Sequence, residues 1–245
     1  AVYRAEHAML QPPTSVKTLL PEKTTDATVA LFEREVRLSS QLNHPNTIAI
    51  YDYGRTDEGL FYYAMEFLDG LGLDDLVKHY GPQSAARTIF LLRQVCGSLA
   101  EAHGIGLIHR DIKPANIMLT RRGGQYDVVK VLDFGLVKAT DTKDEMELTV
   151  AGSITGTPVY LAPETFNDNQ AFAPASDLYA LGAVGYYLLT GGPPFQGATF
   201  AELCLQHMQA PPQPPSERLG QTVDGDLEAV ILQCLAKSPT DRPPD

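Results

Sequence analysis

The 245-residue sequence contains no tryptophan, only three cysteines, far fewer cations than anions and no long apolar run. Each shortage excludes something. Cys96, Cys204 and Cys234 are odd in number and far apart, so neither a disulfide framework nor a zinc site can be built from them. All three fall in apolar, helical-looking stretches, which predicts buried thiols in a reducing, cytoplasmic compartment. With 19 Lys+Arg against 30 Asp+Glu the formal charge is −11, and such a surface repels phosphate backbones; nucleic acid is excluded as a general partner. No segment approaches the ~18 continuous apolar residues of a membrane span, so no membrane contact is expected of this segment. No signal peptide is visible, and the first residue is Ala1, so the start reads as trimmed. What is present is ordinary: 44% hydrophobic residues with 20 Gly and 18 Pro, enough to bury a core in one large domain or in two lobes.

The chain changes character once. Up to about Leu68 it reads as short strands around one helix. Val2 to Ala5 and Ser15 to Leu19 are strand-like, and Thr28 to Gln41 carries Val29, Phe32, Val36 and Leu42 at near-helical spacing. Asn43-His44-Pro45-Asn46 stops that helix, because proline disfavours helix in the residue before it. Ile48 to Tyr53 and Leu60 to Phe67 are two strands joined by a polar turn. After Asp69-Gly70 the period becomes helical: Ala85 to His103, Asp177 to Leu189, Phe200 to Met208 and Leu227 to Ala236, with a proline-rich loop from Ala210 to Pro215. Asp177 to Leu189 is apolar nearly all round and should be buried. The expected class is α+β, with residues 1–68 as a small β-rich lobe and 69–245 as a larger helical lobe across a cleft.

The chemistry concentrates in His109-Arg110-Asp111-Ile112-Lys113-Pro114-Ala115-Asn116. One loop here presents a carboxylate, a cation and an amide. Asp111 can orient and deprotonate an attacking hydroxyl, Lys113 can neutralise a moving phosphoryl group, and Asn116 can bind a hard metal through its carbonyl oxygen. Val131-Leu132-Asp133-Phe134-Gly135 adds a second carboxylate at the end of an apolar strand. Asp133 and Asn116 on neighbouring strand ends would hold Mg²⁺, which takes one or two protein ligands plus phosphate oxygens and water. Asp-Phe-Gly alone would be an ordinary turn; its position after the first string gives it weight.

With these two strings the sequence resembles the eukaryotic-type (Hanks-type) Ser/Thr protein kinase catalytic domain. Lys113-Pro114 is similar to the Ser/Thr branch, and Asp177-Leu178-Tyr179-Ala180-Leu181-Gly182 resembles its bacterial members. The resemblance implies a bilobal protein-kinase-like fold with an ATP cleft between the lobes, and transfer of the γ-phosphoryl of ATP to a protein Ser or Thr hydroxyl with Mg²⁺, or Mn²⁺ in its place. It implies that Lys17 contacts the α- and β-phosphates and that Glu35, ten positions before Pro45, pairs with Lys17; Glu33 is the rival acid by composition. Met65 would guard the back of the pocket, the Glu66 and Leu68 backbones would bond adenine, and Val2 and Met118 would be its apolar roof and floor. Gly156-Thr157-Pro158 to Ala162-Pro163-Glu164 resembles the end of an activation segment. Thr157 would touch Asp111 and Lys113, Glu164 would form a buried pair with Arg242, and Asp177 would bind the catalytic-loop backbone. Arg110 beside Asp111 implies phosphorylation control, with Thr149 and Ser153 as candidate acceptors and self-association for autophosphorylation.

Four departures qualify the resemblance. The family's Gly-x-Gly-x-x-Gly loop should end just before Val2, where this sequence begins, and Gly70-Leu71-Gly72 lies after the hinge instead. The chain also stops at Asp245, before the family's final helix would finish, so a longer parent protein is expected; bacterial members of the family often carry a membrane helix outside the kinase domain, and this segment says nothing about one in the parent. Ser15 stands where alanine usually meets adenine, and Ser39, one turn after Glu35, is small and polar where larger apolar packing is common. A catalytically weak kinase-like binding or scaffold module is the alternative reading.

Overall fold

The computed structural model describes residues 2–6, 13–18, 26–57, 59–134, 158–166 and 172–244. Two antiparallel sheets organise it. The first contains β1 (Val2–Glu6), β2 (Pro13–Thr18), β3 (Ile50–Arg55) and β4 (Phe61–Glu66), in the order β1-β2-β4-β3. Register places Lys17 opposite Val2 on one side and opposite Tyr63 on the other. Helix α1 (Asp26–Ser39) lies between β2 and β3 in the chain. Its Val36 joins Ile48, Phe61, Tyr63 and Met65 in a small core. Alternation explains the strand contribution: Phe61, Tyr63 and Met65 are buried, whereas Tyr62 and Ala64 are half-buried.

The second sheet is β5 (Gly70–Gly72), β6 (Ile117–Arg122) and β7 (Gln125–Val131). The sequence reading ran straight from Gly70 into helix and gave β5 no place. Gly70 must be glycine, since a Cβ there would stand 2.2 Å from the Leu119 carbonyl oxygen. Helices α2 (Leu73–Tyr80), α3 (Ala85–Gly104), α4 (Pro174–Thr190), α5 (Phe200–Gln209), α6 (Pro215–Leu219) and α7 (Gly225–Cys234) complete the larger part. Their starts follow capping chemistry. Ser84, Thr199 and Asp224 each accept a backbone N–H at the head of α3, α5 and α7. Gly191, with φ 79°, ends α4 in the left-handed conformation. Helix α6 was hidden in the sequence because it starts at the last residue of the proline-rich loop, where proline suits the first helical turn.

Helix α4 is the axis of the larger part, buried from Ser176 through Tyr186. Leu91, Val95 and Leu99 of α3 pack with Leu181, Val184 and Leu188 of α4 in the main core, which also takes in Ile112, Ile117, Val131 and Phe134 from the catalytic strings. The thiols depart from expectation: Cys234 is buried, but Cys96 is exposed and Cys204 intermediate. Position 96 is on the outer face of α3, one residue past Val95, which the core takes. The sheets meet behind the cleft, where Val131 N–H donates to Asn46 O at 2.7 Å and Ile48 N–H to Val131 O at 3.0 Å. The Asn46 amide also donates to Val129 O and Gln94. No described helix is long and apolar enough to cross a membrane.

Candidate active site

The His109–Asn116 loop is held from below by one buried carboxylate. Asp177 on α4 is 1% exposed. Its oxygens accept the backbone N–H of His109 at 2.8 Å, the N–H of Arg110 at 2.9 Å and His103 Nε2 at 2.8 Å. A charge inside an apolar helix needs such partners; here they are the loop itself. The His109 ring fixes the next turn. Its Nδ1 accepts the Asp111 N–H at 3.2 Å, so Nε2 carries the proton donated to Leu132 O at 2.7 Å. Phe134 packs on that ring at 4.6 Å. Arg110 has φ 68° and Asp133 φ 52°. A left-handed backbone is costly for a residue with a Cβ, and it persists where surrounding bonds over-determine it.

Around Asp111 the functional groups converge. Lys113 Nζ is 2.7 Å from Asp111 Oδ2. Asn116 Nδ2 donates to the same oxygen and to the Asp111 carbonyl, both at 2.8 Å. That use of the amide nitrogen leaves Asn116 Oδ1 as the atom available to a hard cation. Leu132 N–H donates to Asn116 O at 2.9 Å, which sets Asn116 beside Asp133. The Asp133 carboxylate accepts from Lys17 Nζ at 2.8 Å and from the Tyr63 hydroxyl at 2.5 Å. Burial works to raise its pKa, but the Lys17 charge and these hydrogen bonds together hold it below the usual value. Each Asp133 oxygen keeps a second lone pair, so the donor set of Asp133 and Asn116 fits an oxygen-seeking divalent cation such as Mg²⁺.

The expected Lys17–Glu35 pair is not formed. Glu35, 3% exposed on α1, is bonded through Oε1 to Arg110 at 2.7 Å, and its Oε2 is buried without a hydrogen-bond partner. Burial raises the Glu35 pKa, against the lowering effect of Arg110. The physical reason for the exchange is local: a buried carboxylate takes the cation within reach, and Lys17 is already committed to Asp133.

At the far end of the cleft Met65 is buried and opposes Ser15 in the register, while Leu68 and Met118 are half-buried. Val2 lies on β1 but is 59% exposed. The Glu66 side chain, ignored in the sequence reading, is buried between Arg122 and Lys130, with Lys130 Nζ at 2.6 Å. Glu164 and Arg242 form a two-pronged pair at 2.7 and 2.8 Å. A small hollow lies between the His109–Asn116 loop and the following segment, with Arg110, Asp111, Tyr160, Leu161 and Phe172 in its wall. Thr149, Ser153 and Thr157 lie outside the described residues. Tyr63 and the Arg110–Glu35 pair were missed. The alternation in Phe61-Tyr62-Tyr63-Ala64-Met65 could have placed one tyrosine inward, but nothing in the sequence showed what its hydroxyl meets.

The sequence matches the protein kinase domain family over residues 1–244. The chain belongs to that family. This kinase domain is 39% identical to the serine/threonine-protein kinase pkn3 of Myxococcus xanthus, over 99% of this chain and 45% of that protein. It is 42% identical to Pkn1 of the same organism, over 99% of this chain and 34% of that protein. The chain thus spans less than half the length of these curated relatives. The crystal structure of Rad53 1-466 in complex with AMP-PNP superposes with a TM-score of 0.77 at 26% identity, covering 98% of this chain and 58% of that one. The kinase domain therefore has the bilobal fold, with a β-sheet N-terminal part and a helical C-terminal part. The family uses ATP and a divalent metal ion.

Proposed function

We propose that this kinase domain transfers the γ-phosphoryl group of ATP to a Ser or Thr hydroxyl of a protein. One observation carries the reading: the Lys17–Asp133 pair and the Asn116–Asp111–Lys113 cluster, drawn from β2 and from both strings, are set side by side through the Leu132 N–H bond to Asn116 O. Lys17 binds the nucleotide phosphates. Asp111 accepts the substrate hydroxyl proton, oriented by the Asn116 amide, and Lys113 offsets charge on the phosphoryl group as it moves. Asp133 and Asn116 Oδ1 would hold the divalent cation, Mg²⁺ or Mn²⁺, which neutralises phosphate charge when bound. Met65, the Glu66 and Leu68 backbones, Val2 and Met118 would bound the adenine. Positioning and electrostatics supply most of the catalysis. Lys17→Met and Asp133→Ala are expected to abolish phosphate transfer in a chain that still folds, and Asp111→Asn to cost about 10²–10⁴-fold. Radiolabelled transfer to a generic protein substrate, alongside thermal melts, checks this; wild-type turnover in either of the first two variants refutes it.

The Arg110–Glu35 pair supports a regulated enzyme. A phosphate on Thr149 or Ser153, added by a second copy of the domain, would compete for the Arg110 guanidinium and free Glu35 to brace Lys17. Thr157 would help select the hydroxyl. Activity should then rise with loop phosphorylation, read by mass spectrometry beside the transfer assay; an active preparation modified at neither residue sinks the switch. The same pair is the observation that favours the alternative, a catalytically weak module that signals by shape. A thermal shift with ATP and Mg²⁺ but no transfer would select it. The placement is cytoplasmic, with any membrane anchor elsewhere in the parent protein.

A further inference from the structure

Tyr63 sits in the middle of β4, the strand that pairs with β2, and faces the small apolar core of Val36, Ile48, Phe61 and Met65. Phenylalanine would fill such a position equally well, and a hydroxyl carried into an apolar core costs free energy unless it is bonded. This hydroxyl is bonded, at 2.5 Å, to Asp133 Oδ1. The other oxygen of the same carboxylate belongs to Lys17, whose ammonium stands 5.9 Å from the Tyr63 ring centre. Asp133 is thus gripped from two sides, at a residue whose backbone lies in the left-handed region.

The two grips differ in permanence. Lys17 ends a flexible stem and, in the phosphoryl-transfer reading on which this inference rests, must turn to the nucleotide phosphates. Tyr63 is a rigid ring, 1% exposed and held in the small core. We propose that Tyr63 is a positioning residue for Asp133: its phenol keeps the carboxylate in place while Lys17 exchanges Asp133 for the nucleotide, and it thereby sets the affinity for the divalent cation. Partners that orient a metal-binding carboxylate typically contribute 10–100-fold in metal affinity.

Tyr63→Phe removes one oxygen and keeps the packing. Binding of a fluorescent ADP analogue in EDTA should stay within about twofold of wild type, whereas the Mg²⁺ concentration for half-maximal binding and transfer should rise about tenfold, with kcat recovering at saturating Mg²⁺. 3-Fluorotyrosine at position 63, which keeps the hydroxyl, should restore the wild-type Mg²⁺ dependence. Unchanged Mg²⁺ dependence in Tyr63→Phe, or equal weakening with and without Mg²⁺, overturns the proposal. A metal-free arm is independent of catalysis: Tyr63→Phe should lower the urea midpoint of the wild-type chain by more than that of Asp133→Ala. Equal losses in both backgrounds overturn the grip. Failure of the wild-type chain to bind nucleotide at all would instead remove the phosphoryl-transfer reading, and the urea comparison would still decide whether Tyr63 holds Asp133.

Discussion

Two of the glutamate–arginine pairs in this kinase domain, Arg242–Glu164 and Arg110–Glu35, are built to different standards. Arg242, buried at 4% exposure, spends every donor: on both oxygens of Glu164 and on the carbonyls of Ala175, Ala236 and Lys237. Ser176 donates to Glu164 as well. Burial pushes the Glu164 pKa up, but these bonds outweigh it and the net shift is down. Arg110 gives Glu35 one bond, leaves Oε2 empty and keeps a side chain that is 34% exposed. There burial wins and the pKa goes up. A saturated pair is a fixed joint between the segment after the activation region and the end of the chain. An unsaturated one can exchange partners, which is what a regulatory contact requires.

The strongest way to break this contrast is to delete each arginine. Arg242→Ala removes a buried guanidinium and all five of its hydrogen bonds, leaving the half-buried Glu164 carboxylate without its cation, and should cost about 3–5 kcal/mol, a fall in Tm of roughly 6–20 °C. Arg110→Ala should cost less, about 1.5–3 kcal/mol, because it removes one hydrogen bond to Glu35 from a side chain that is 34% exposed. Equal losses in thermal melts would erase the distinction.

The pH dependence sharpens it. Glu164 has a lowered folded pKa, so its contribution is present above the unfolded value of 4.5 and is lost as pH falls through the folded value. Glu35 has a raised folded pKa, so its charged form costs stability above that window and the cost disappears as pH falls toward 4.5. Glu164→Gln should therefore destabilise at pH 7 and Glu35→Gln should stabilise, with both differences closing on acidification. Melts of the two variants from about pH 2 to 8, which takes in the Glu164 window below 4.5 and the Glu35 window above it, check the opposite signs.

The smallest effects come from the serines beside each pair. Ser176→Ala removes the bond to Glu164 and the cap on the Ala173 N–H, about 1 kcal/mol. Ser39→Ala removes only a 3.4 Å contact to Phe134 O, and less than about 0.5 kcal/mol is expected. A larger loss at Ser39 than at Ser176 would mean that the α1 side is the more tightly built of the two.

Much of this was legible before any coordinates. The 3.6-residue period gave α1, α3, α4, α5 and α7 within a few residues, and alternation gave the strands of the first sheet, because burial on one face leaves a periodic record. Strand β5 left no such record, being three residues long, and α6 was masked by prolines. In the site, residue types at fixed offsets pointed to Asp111, Lys113, Asn116 and Asp133 as one chemical group. The partners of Glu35, Glu66 and Tyr63 were not legible, since a side chain's choice among several charges within reach depends on distances that sequence separation does not encode.

The sequence by itself determined the family, the two-part architecture and the inventory of acids, bases and oxygen donors, since each of these is written in residue identity and local spacing. Only the tertiary structure decided which cation each carboxylate holds: Asp133 taken by Lys17 and Tyr63, Glu35 left to Arg110, Glu164 locked to Arg242. Coulomb attraction and hydrogen bonding act over a few ångströms, and contacts such as Lys17 to Asp133, 116 positions apart, exist only after the chain has packed.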